Sequence, residues 1–305
     1  MPKSSRADAP NAYQPESSRR ETLARFFEDT RVRRLLLCGE AGQVLQDFPA
    51  NSIHTCITSP PYWAPREAAV PSRLGFEPTP EGYIQHLTHI GQRLKRVLRK
   101  DGSFWLILGD TYLNRNLCGI PWKVTLALQD DGWTIRNAVI WNKIKGRPDS
   151  DVDKLENTYE YIFHLVLSQR YYYVLDDAKP PSIGSKPSSR ITTTSTGEGR
   201  FEHENLARGK GALAKERRGA KPGDVWSVSP RYEWRKGFPY SVFPVRLCEL
   251  PILATCPPDG IVLDPFVGTG TTIVAALKLG RRGVGIDVSA DFIEMAERCI
   301  SSAER

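Results

Sequence analysis

Ser59, Pro60, Pro61 and Tyr62, followed by Trp63, set a hydroxyl, two imino acids and an aromatic ring side by side. The combination suits the capture of an exocyclic amine. Such an amine on a heterocyclic base is a poor nucleophile because its lone pair is delocalised into the ring. Acceptors on its two N–H bonds draw the nitrogen towards tetrahedral geometry. The Ser59 hydroxyl can be one acceptor and a backbone carbonyl of the Ser59–Pro60–Pro61 stretch the other, while the prolines fix φ and remove competing N–H donors. Tyr62 offers a flat face on which a flipped-out base can stack. The run Ile53-His54-Thr55-Cys56-Ile57-Thr58 before it is β-branched and largely apolar, so the tetrapeptide falls where a strand leaves a sheet. Open α/β folds bind their ligands there. Taken alone, the motif leaves a proline-rich turn with an incidental Tyr-Trp pair as the lesser alternative.

A second motif narrows the choice. Ile261-Val262-Leu263-Asp264-Pro265-Phe266-Val267-Gly268-Thr269-Gly270-Thr271-Thr272, continuing into an apolar helical pattern, reads as strand, glycine loop and helix. Glycines 268 and 270 allow close backbone approach to a ligand, and the helix N-terminus with the Thr271 and Thr272 hydroxyls can receive a carboxylate. Gly283-Val284-Gly285-Ile286-Asp287 is the next short strand, ending in an acid suited to a ribose diol. A dinucleotide fingerprint fits less well, because Ile273 stands where the third glycine would fall. A phosphate-binding P-loop lacks its Gly-Lys-Ser/Thr.

In this order the two motifs resemble the β-class amino-methyltransferases of DNA, which carry Ser/Asp-Pro-Pro-Tyr before Asp-Pro-Phe-x-Gly-x-Gly. The resemblance runs from about residue 34 to residue 300. It implies an α/β, Rossmann-like methyltransferase fold: a mixed, mostly parallel seven-stranded sheet with helices on both faces, circularly permuted so that the catalytic half precedes the cofactor half. It implies S-adenosyl-L-methionine as methyl donor, Ser59, Pro60, Pro61 and Tyr62 as the catalytic set, and a flipped base in double-stranded DNA as substrate. Cofactor contacts are implied at Glu40, Thr58, Ser241, Phe243, Pro244, Asp264, Pro265, Phe266, Gly268, Gly270, Thr271, Thr272 and Asp287. Two departures stand out: Glu40 replaces the usual Asp of a Gly-Asp-Ala segment, and Pro239 stands where many members have His. Trp141-Asn142-Lys143 and Glu160 resemble lesser motifs of the family and are taken as structural.

Serine at position 59 is more similar to the cytosine-N4 enzymes than to the adenine-N6 enzymes, which usually begin the motif with Asp or Asn. Methylation at cytosine C5 needs a cysteine nucleophile, typically after proline, and none of the six cysteines follows one. An adenine-N6 enzyme is the alternative within the class, and a non-catalytic DNA-binding protein with a methyltransferase fold is the alternative outside it. A second copy of the chain and a cognate restriction endonuclease are open as partners.

Charge points to where DNA is read. Residues 179–221 hold ten Lys or Arg against four Glu, so nearly all of the chain's formal net charge of +7 lies in this one segment, which is also rich in Ser, Thr and Gly. Such a segment can neutralise phosphates and present side chains to base edges. Arg200, Arg208, Arg217 and Arg218 are the candidate DNA contacts. A solvated basic loop of low complexity has the same composition.

Around these motifs, 305 residues with 40% hydrophobic content suffice for one large α/β core. Strands are expected at 34–38, 53–58, 103–108 and 135–141, with helices at 81–99 and about 119–130. The helix at 81–99 carries a stripe of Ile84, Leu87, Ile90, Leu94 and Val97. Two apolar runs, Tyr159–Leu167 and Arg170–Leu175, are expected to form an antiparallel hairpin that closes the sheet. The organisation expected is a flexible tail at 1–25, a catalytic half at 26–178, a basic target-recognition insert at 179–222 and a cofactor half at 223–305. Cysteines without a C-x-x-C pair suggest unpaired thiols in a reducing cytosol. No metal site is expected, His86 and His89 lacking partner ligands, and no apolar run is long enough for a membrane span.

Overall fold

The computed structural model describes residues 16–64, 74–144, 153–174, 222–230 and 243–305. Helix α1 (Glu16–Glu28) leads into strand β1 (Arg34–Cys38), the single-turn helix α2 (Ala41–Val44) and strand β2 (Ile53–Thr58). Helix α3 (Pro80–Val97) runs directly into strand β3 (Leu98–Leu108), followed by a small hairpin, β4 (Tyr112–Leu113) and β5 (Asn116–Leu117), and helix α4 (Ile120–Asp130). Strands β6 (Thr134–Asn142), β7 (Tyr159–Val166) and β8 (Val225–Ser227) come next. Helix α5 (Arg246–Thr255), strand β9 (Ile261–Asp264), helix α6 (Thr271–Lys278), strand β10 (Arg282–Asp287) and helix α7 (Ala290–Glu304) complete the chain.

One sheet holds eight strands in the order β1-β10-β9-β2-β3-β7-β6-β8, and β7 alone runs against its neighbours. The mostly parallel α/β sheet expected from the sequence is present, with one strand more than the seven anticipated. The addition is β8, three residues pairing in parallel with Ile140–Asn142 of β6. Its short, half-exposed sequence carries no period of its own, and Trp226, buried among Trp105, Val139 and Trp141, is what fixes it.

Strand β3 displays the period-2 logic of a sheet covered on both faces. Phe104, Leu106 and Leu108 join the core built with α3 and α4, whereas Trp105 and Ile107 join the opposite core built with α5 and α6. Helix α3 begins where Thr79 caps the Gly82 amide and Pro80 takes the first turn. It buries Tyr83, Leu87, Ile90, Leu94 and Val97, with the expected Ile84 only partly covered at the edge of the stripe.

Two expectations fail. Residues 16–25 of the anticipated tail belong to α1, which buries Leu23 and Phe26 against the core. Burial of each such side chain contributes roughly 1.5–3 kcal/mol before ordering costs. Arg19, itself buried, pairs with Asp47, and Arg282 donates to the Phe26 carbonyl at the helix end. The second run of the expected hairpin is not a strand either. Residues 170–174 cross the sheet instead of extending it: the Tyr172 amide donates to Asp101 and the Val174 amide to Ala254, while Tyr171 and Tyr173 pack on the His164 ring. The true antiparallel partners of β7 are β3 and β6. The basic segment up to Lys221, with Arg200, Arg208, Arg217 and Arg218, lies outside the described residues, as do Leu175, Pro239 and Ser241. Among the described residues no helix is long and apolar enough to cross a membrane.

Candidate active site

Strands β9 and β2 lie side by side, yet β9 continues through α6 to β10 on one side and β2 continues through α3 to β3 on the other. The crossovers diverge, opening a crevice beyond the carboxyl ends of the two strands, the place where open α/β sheets take ligands. Thr58 ends β2 and Asp264 ends β9, and the two meet. The Thr58 hydroxyl donates to Asp264 Oδ1 at 2.5 Å, the Thr272 hydroxyl to Oδ2 at 2.6 Å and the Phe266 amide to Oδ1 at 3.0 Å. Asp264 is 1% exposed. Burial pushes its carboxyl up to about 6, against which these three donors work. The carboxylate thereby ties the catalytic strand, the glycine loop and the first turn of α6 into one knot.

The loop beyond it is shaped for close approach. Gly268 and Gly270 have φ of +49° and +86°, and a Cβ on Gly270 would meet Ala296 of α7 at 3.2 Å. Both conformation and space therefore demand glycine at 270. Gly270 caps α6 without any side-chain hydrogen bond, so the first-turn N–H groups and the half-exposed Thr271 face the loop mouth with the positive end of the helix. Asp287 closes the loop from β10. Its carboxylate accepts from the Gly268 amide at 3.0 Å and the Ser289 amide at 2.9 Å, and burial raises its pKa. Glu40 stands across the same sheet end and caps α2, accepting from the Gly42 and Gln43 amides at 2.7 Å each. Pro244 and Pro265 are buried, and Phe243 and Phe266 partly buried, beside the two cores. Backbone donors, a helix N-terminus, two acids and apolar rings are the donor set that an amino-acid-bearing nucleoside requires, and the residues present fit one.

On the catalytic side the tetrapeptide is anchored piece by piece. The Tyr83 hydroxyl donates to the Pro61 carbonyl at 2.9 Å, and Trp63, buried, donates through Nε1 to the Glu77 carbonyl at 2.9 Å. Glu77 also accepts from the Gly75 amide and bonds His86 Nδ1. The Tyr62 ring lies against Gly109, where a Cβ would come within 2.7 Å of Tyr62 Cε2. Its hydroxyl is held at both ends: Ser59 donates to it at 3.1 Å, and it donates to Glu160 Oε2 at 2.7 Å. Glu160 is 8% exposed and forms an ion pair through Oε1 with Lys143. Burial, and then the Glu160 charge, raise the Tyr62 phenol well above its ordinary value, which keeps it neutral.

The structure thus gathers Thr58, Ser59, Tyr62, Asp264, Phe266, Gly268, Gly270, Thr271, Thr272 and Asp287 around one crevice. It also refines their duties. The Thr272 hydroxyl, expected to receive a carboxylate, spends its proton on Asp264, and Pro61's carbonyl already accepts from Tyr83. Glu160 and Lys143, taken as structural, continue the hydrogen-bond chain of Ser59 and Tyr62. Nothing in their spacing announces this, since Glu160 lies 98 residues from Tyr62 and arrives on the antiparallel strand β7. An acid alone among apolar and aromatic residues of a buried strand, Tyr159-Glu160-Tyr161-Ile162-Phe163, was the available signal.

The four buried cysteines are not activated. Cys38, Cys56, Cys248 and Cys256 are buried, and burial raises each thiol, that of Cys256 to about 12. Nor do His, Cys, Asp and Glu cluster as a metal site among the described residues, and His86 is engaged by Glu77.

The chain is similar to known proteins along most of its length. The Type II methyltransferase M.SmaI of Serratia marcescens is 29% identical over 294 residues, covering 87% of this chain and 90% of its own. Among solved structures, TTHA0409 of Thermus thermophilus in complex with S-adenosyl-L-methionine aligns with a TM-score of 0.58 at 23% identity, over 89% of this chain and 96% of that one. The PvuII DNA methyltransferase, cytosine-N4-specific, aligns with a TM-score of 0.65 at 15% identity, over 89% and 91% of the two chains. The N6/N4 DNA methylase family model matches residues 53–298, from the first residue of β2 into α7, and the chain belongs to that family.

Proposed function

We propose that this DNA methylase transfers a methyl group to the N4 amine of a cytosine flipped out of double-stranded DNA. Methyltransfer in this family uses S-adenosyl-L-methionine, which when bound supplies an electrophilic methyl group on a sulfonium. Gly268, Gly270 and Thr271 would hold its amino-acid end at the α6 N-terminus and Asp287 its ribose, with Phe266, Phe243 and Pro244 packing beside it. Asp264, Thr58 and Thr272 act behind this surface, fixing the loop. Ser59 and the Ser59 or Pro60 carbonyl accept the two N–H bonds of the amine, and Tyr62 flanks the base. The rate gain comes from positioning and hydrogen-bond polarisation without a covalent intermediate.

The observation that carries the reading is the Ser59 hydroxyl, at the β2 end beside the cofactor-loop knot, with its proton directed to Tyr62. Serine in place of the Asp or Asn usual in adenine-N6 enzymes supports cytosine N4. The raised cysteine thiols weigh against C5 transfer. Relatives such as M.SmaI carry the name of Type II methyltransferases, and on that likeness we assign the chain to the modification arm of a restriction system, with a cognate endonuclease excluded from methylated sites. Incubation of unmethylated plasmid DNA with labelled donor, followed by digestion and mass spectrometry of nucleosides, tests the assignment. N4-methyldeoxycytidine is expected; N6-methyldeoxyadenosine as the product overturns it.

A further inference from the structure

The hydrogen bonds from Ser59 to Glu160 have a direction, and the direction has a chemical use. A carboxylate only accepts, and Lys143 pairs with the other oxygen of Glu160, so the single Tyr62 proton goes to Glu160 Oε2. The Tyr62 oxygen is then an acceptor towards Ser59, at 3.1 Å, and takes the single Ser59 proton. Ser59 is left with lone pairs and no spare proton on the side of the substrate. A serine without such a partner could turn its proton towards the amine nitrogen and withdraw the lone pair needed for attack. Asp110, the other acid near this end of β3, is already committed to the Thr111, Gly119 and Ile120 amides.

We propose that Glu160, braced by Lys143, polarises the Tyr62–Ser59 hydroxyl chain so that Ser59 is an obligate acceptor, and that the same chain carries off the proton shed by the methylated amine. The inference rests on the reading of Ser59 as the residue that accepts the amine. Once the nitrogen has gained a methyl group it bears one N–H too many. That N–H breaks as a new O–H forms on Ser59 Oγ; the original Ser59 proton passes to Tyr62 Oη, and the original Tyr62 proton to Glu160 Oε2. Each hydroxyl oxygen gains one proton as it gives one up, Glu160 Oε2 gains one, and the net charge of +1 moves from the amine nitrogen to the Glu160–Lys143 pair, leaving Glu160 as the neutral acid. No tyrosinate is formed, in keeping with the raised phenol. Lys143 sits 5.3 Å from the Trp141 ring centroid, and the Trp141 indole is fixed by the Val228 carbonyl at 2.8 Å, so the far end of the chain is held by the sheet core. Glu160 and Lys143 are positioning residues in this scheme, and Ser59 the catalytic one.

Single-turnover methyl transfer by the full chain, measured in H2O and D2O for the wild type and for Ser59→Ala, Tyr62→Phe, Glu160→Gln and Tyr62→Phe/Glu160→Gln, tests the relay. Calorimetric titration with S-adenosylhomocysteine and thermal melting accompany each variant. The relay predicts a loss of about a hundredfold in rate for Tyr62→Phe and for Glu160→Gln, the scale of general acid–base assistance, with S-adenosylhomocysteine affinity within about twofold of wild type. Because both residues serve one chain, the double variant should fall no more than about threefold below the slower single one. A solvent isotope effect on the wild-type rate should shrink in Glu160→Gln. Retention of the rate in Tyr62→Phe and Glu160→Gln while Ser59→Ala is inactive overturns the relay and leaves the Ser59 reading standing. Multiplicative losses in the double variant, or losses that track reduced S-adenosylhomocysteine affinity, also overturn it. An active Ser59→Ala overturns the reading of Ser59 on which the relay rests.

Discussion

The two sides of the crevice are built in opposite ways. On the cofactor side, Asp264 and Asp287 are buried or nearly so and spend their oxygens inward, on Thr58, Thr272 and the amides of Phe266, Gly268 and Ser289. On the catalytic side, Ser59 and Tyr62 are half-exposed and linked in a directional chain whose far end is the Glu160–Lys143 pair. The first arrangement sets backbone geometry and presents the first turn of α6 to a ligand. The second leaves a side-chain oxygen with unused acceptor capacity. Acids on the one side therefore fix loop shape, whereas the acid on the other is proposed to set proton direction.

Substitutions should separate these roles. Ser59→Ala should have the largest effect, reducing single-turnover methyl transfer by about 10²–10³, the loss expected for one preorganised hydrogen-bonding group, with melting temperature little changed. Asp264→Asn should come next and act differently. It replaces one acceptor oxygen with a donor nitrogen in a site where three donors converge, at a cost of about 1–3 kcal/mol in unfolding free energy, read by denaturant titration. Asp264 also gives the stability a pH slope. Its folded pKa of about 6 exceeds the ordinary 3.8, so the folded chain holds a proton that the unfolded chain has released. This group therefore favours folding at low pH and its contribution is lost as pH rises from about 4 through 6, by up to about 1.4 kcal/mol per unit, a slope absent from Asp264→Asn.

The smallest effect belongs to the clasp behind the catalytic loop. The hydrogen bond to Glu77 raises the His86 pKa, outweighing partial burial. The stabilisation by the charged pair is complete below the unfolded histidine value of about 6.5 and is lost as pH rises through the folded value. His86→Ala should thus cost more at pH 6 than at pH 9, by less than about 1 kcal/mol for a partly exposed pair, in denaturant titrations at the two pH values.

The contrast also explains what could be read from sequence. The shape of the glycine loop was legible because it is enforced locally: Gly268 and Gly270 adopt positive φ, and Thr272 reaches Asp264 eight residues before it. Strands β1 and β2 fall at their expected bounds because apolar runs between turn residues declare them. The relay was only half legible. Ser59 and Tyr62 announce themselves in one motif, while Glu160 and Lys143 acquire their place through antiparallel pairing of β7 with β3 and β6, which no spacing encodes. Helix α1 escaped because its apolar residues, Leu23, Phe26 and Phe27, crowd one end, and its polar end is held by Asp47, 28 residues from Arg19. The tyrosines at 171–173 look like a strand by composition, but their rings find His164 and their backbone finds Asp101 and Ala254.

Calorimetric titration of S-adenosylhomocysteine into Ser59→Ala and Asp264→Asn tests the division of labour most directly. Ser59→Ala should bind within about twofold of wild type and Asp264→Asn at least about tenfold more weakly, a difference of about 1.4 kcal/mol. Equal affinities in the two variants, or a loss confined to Ser59→Ala, would contradict that division.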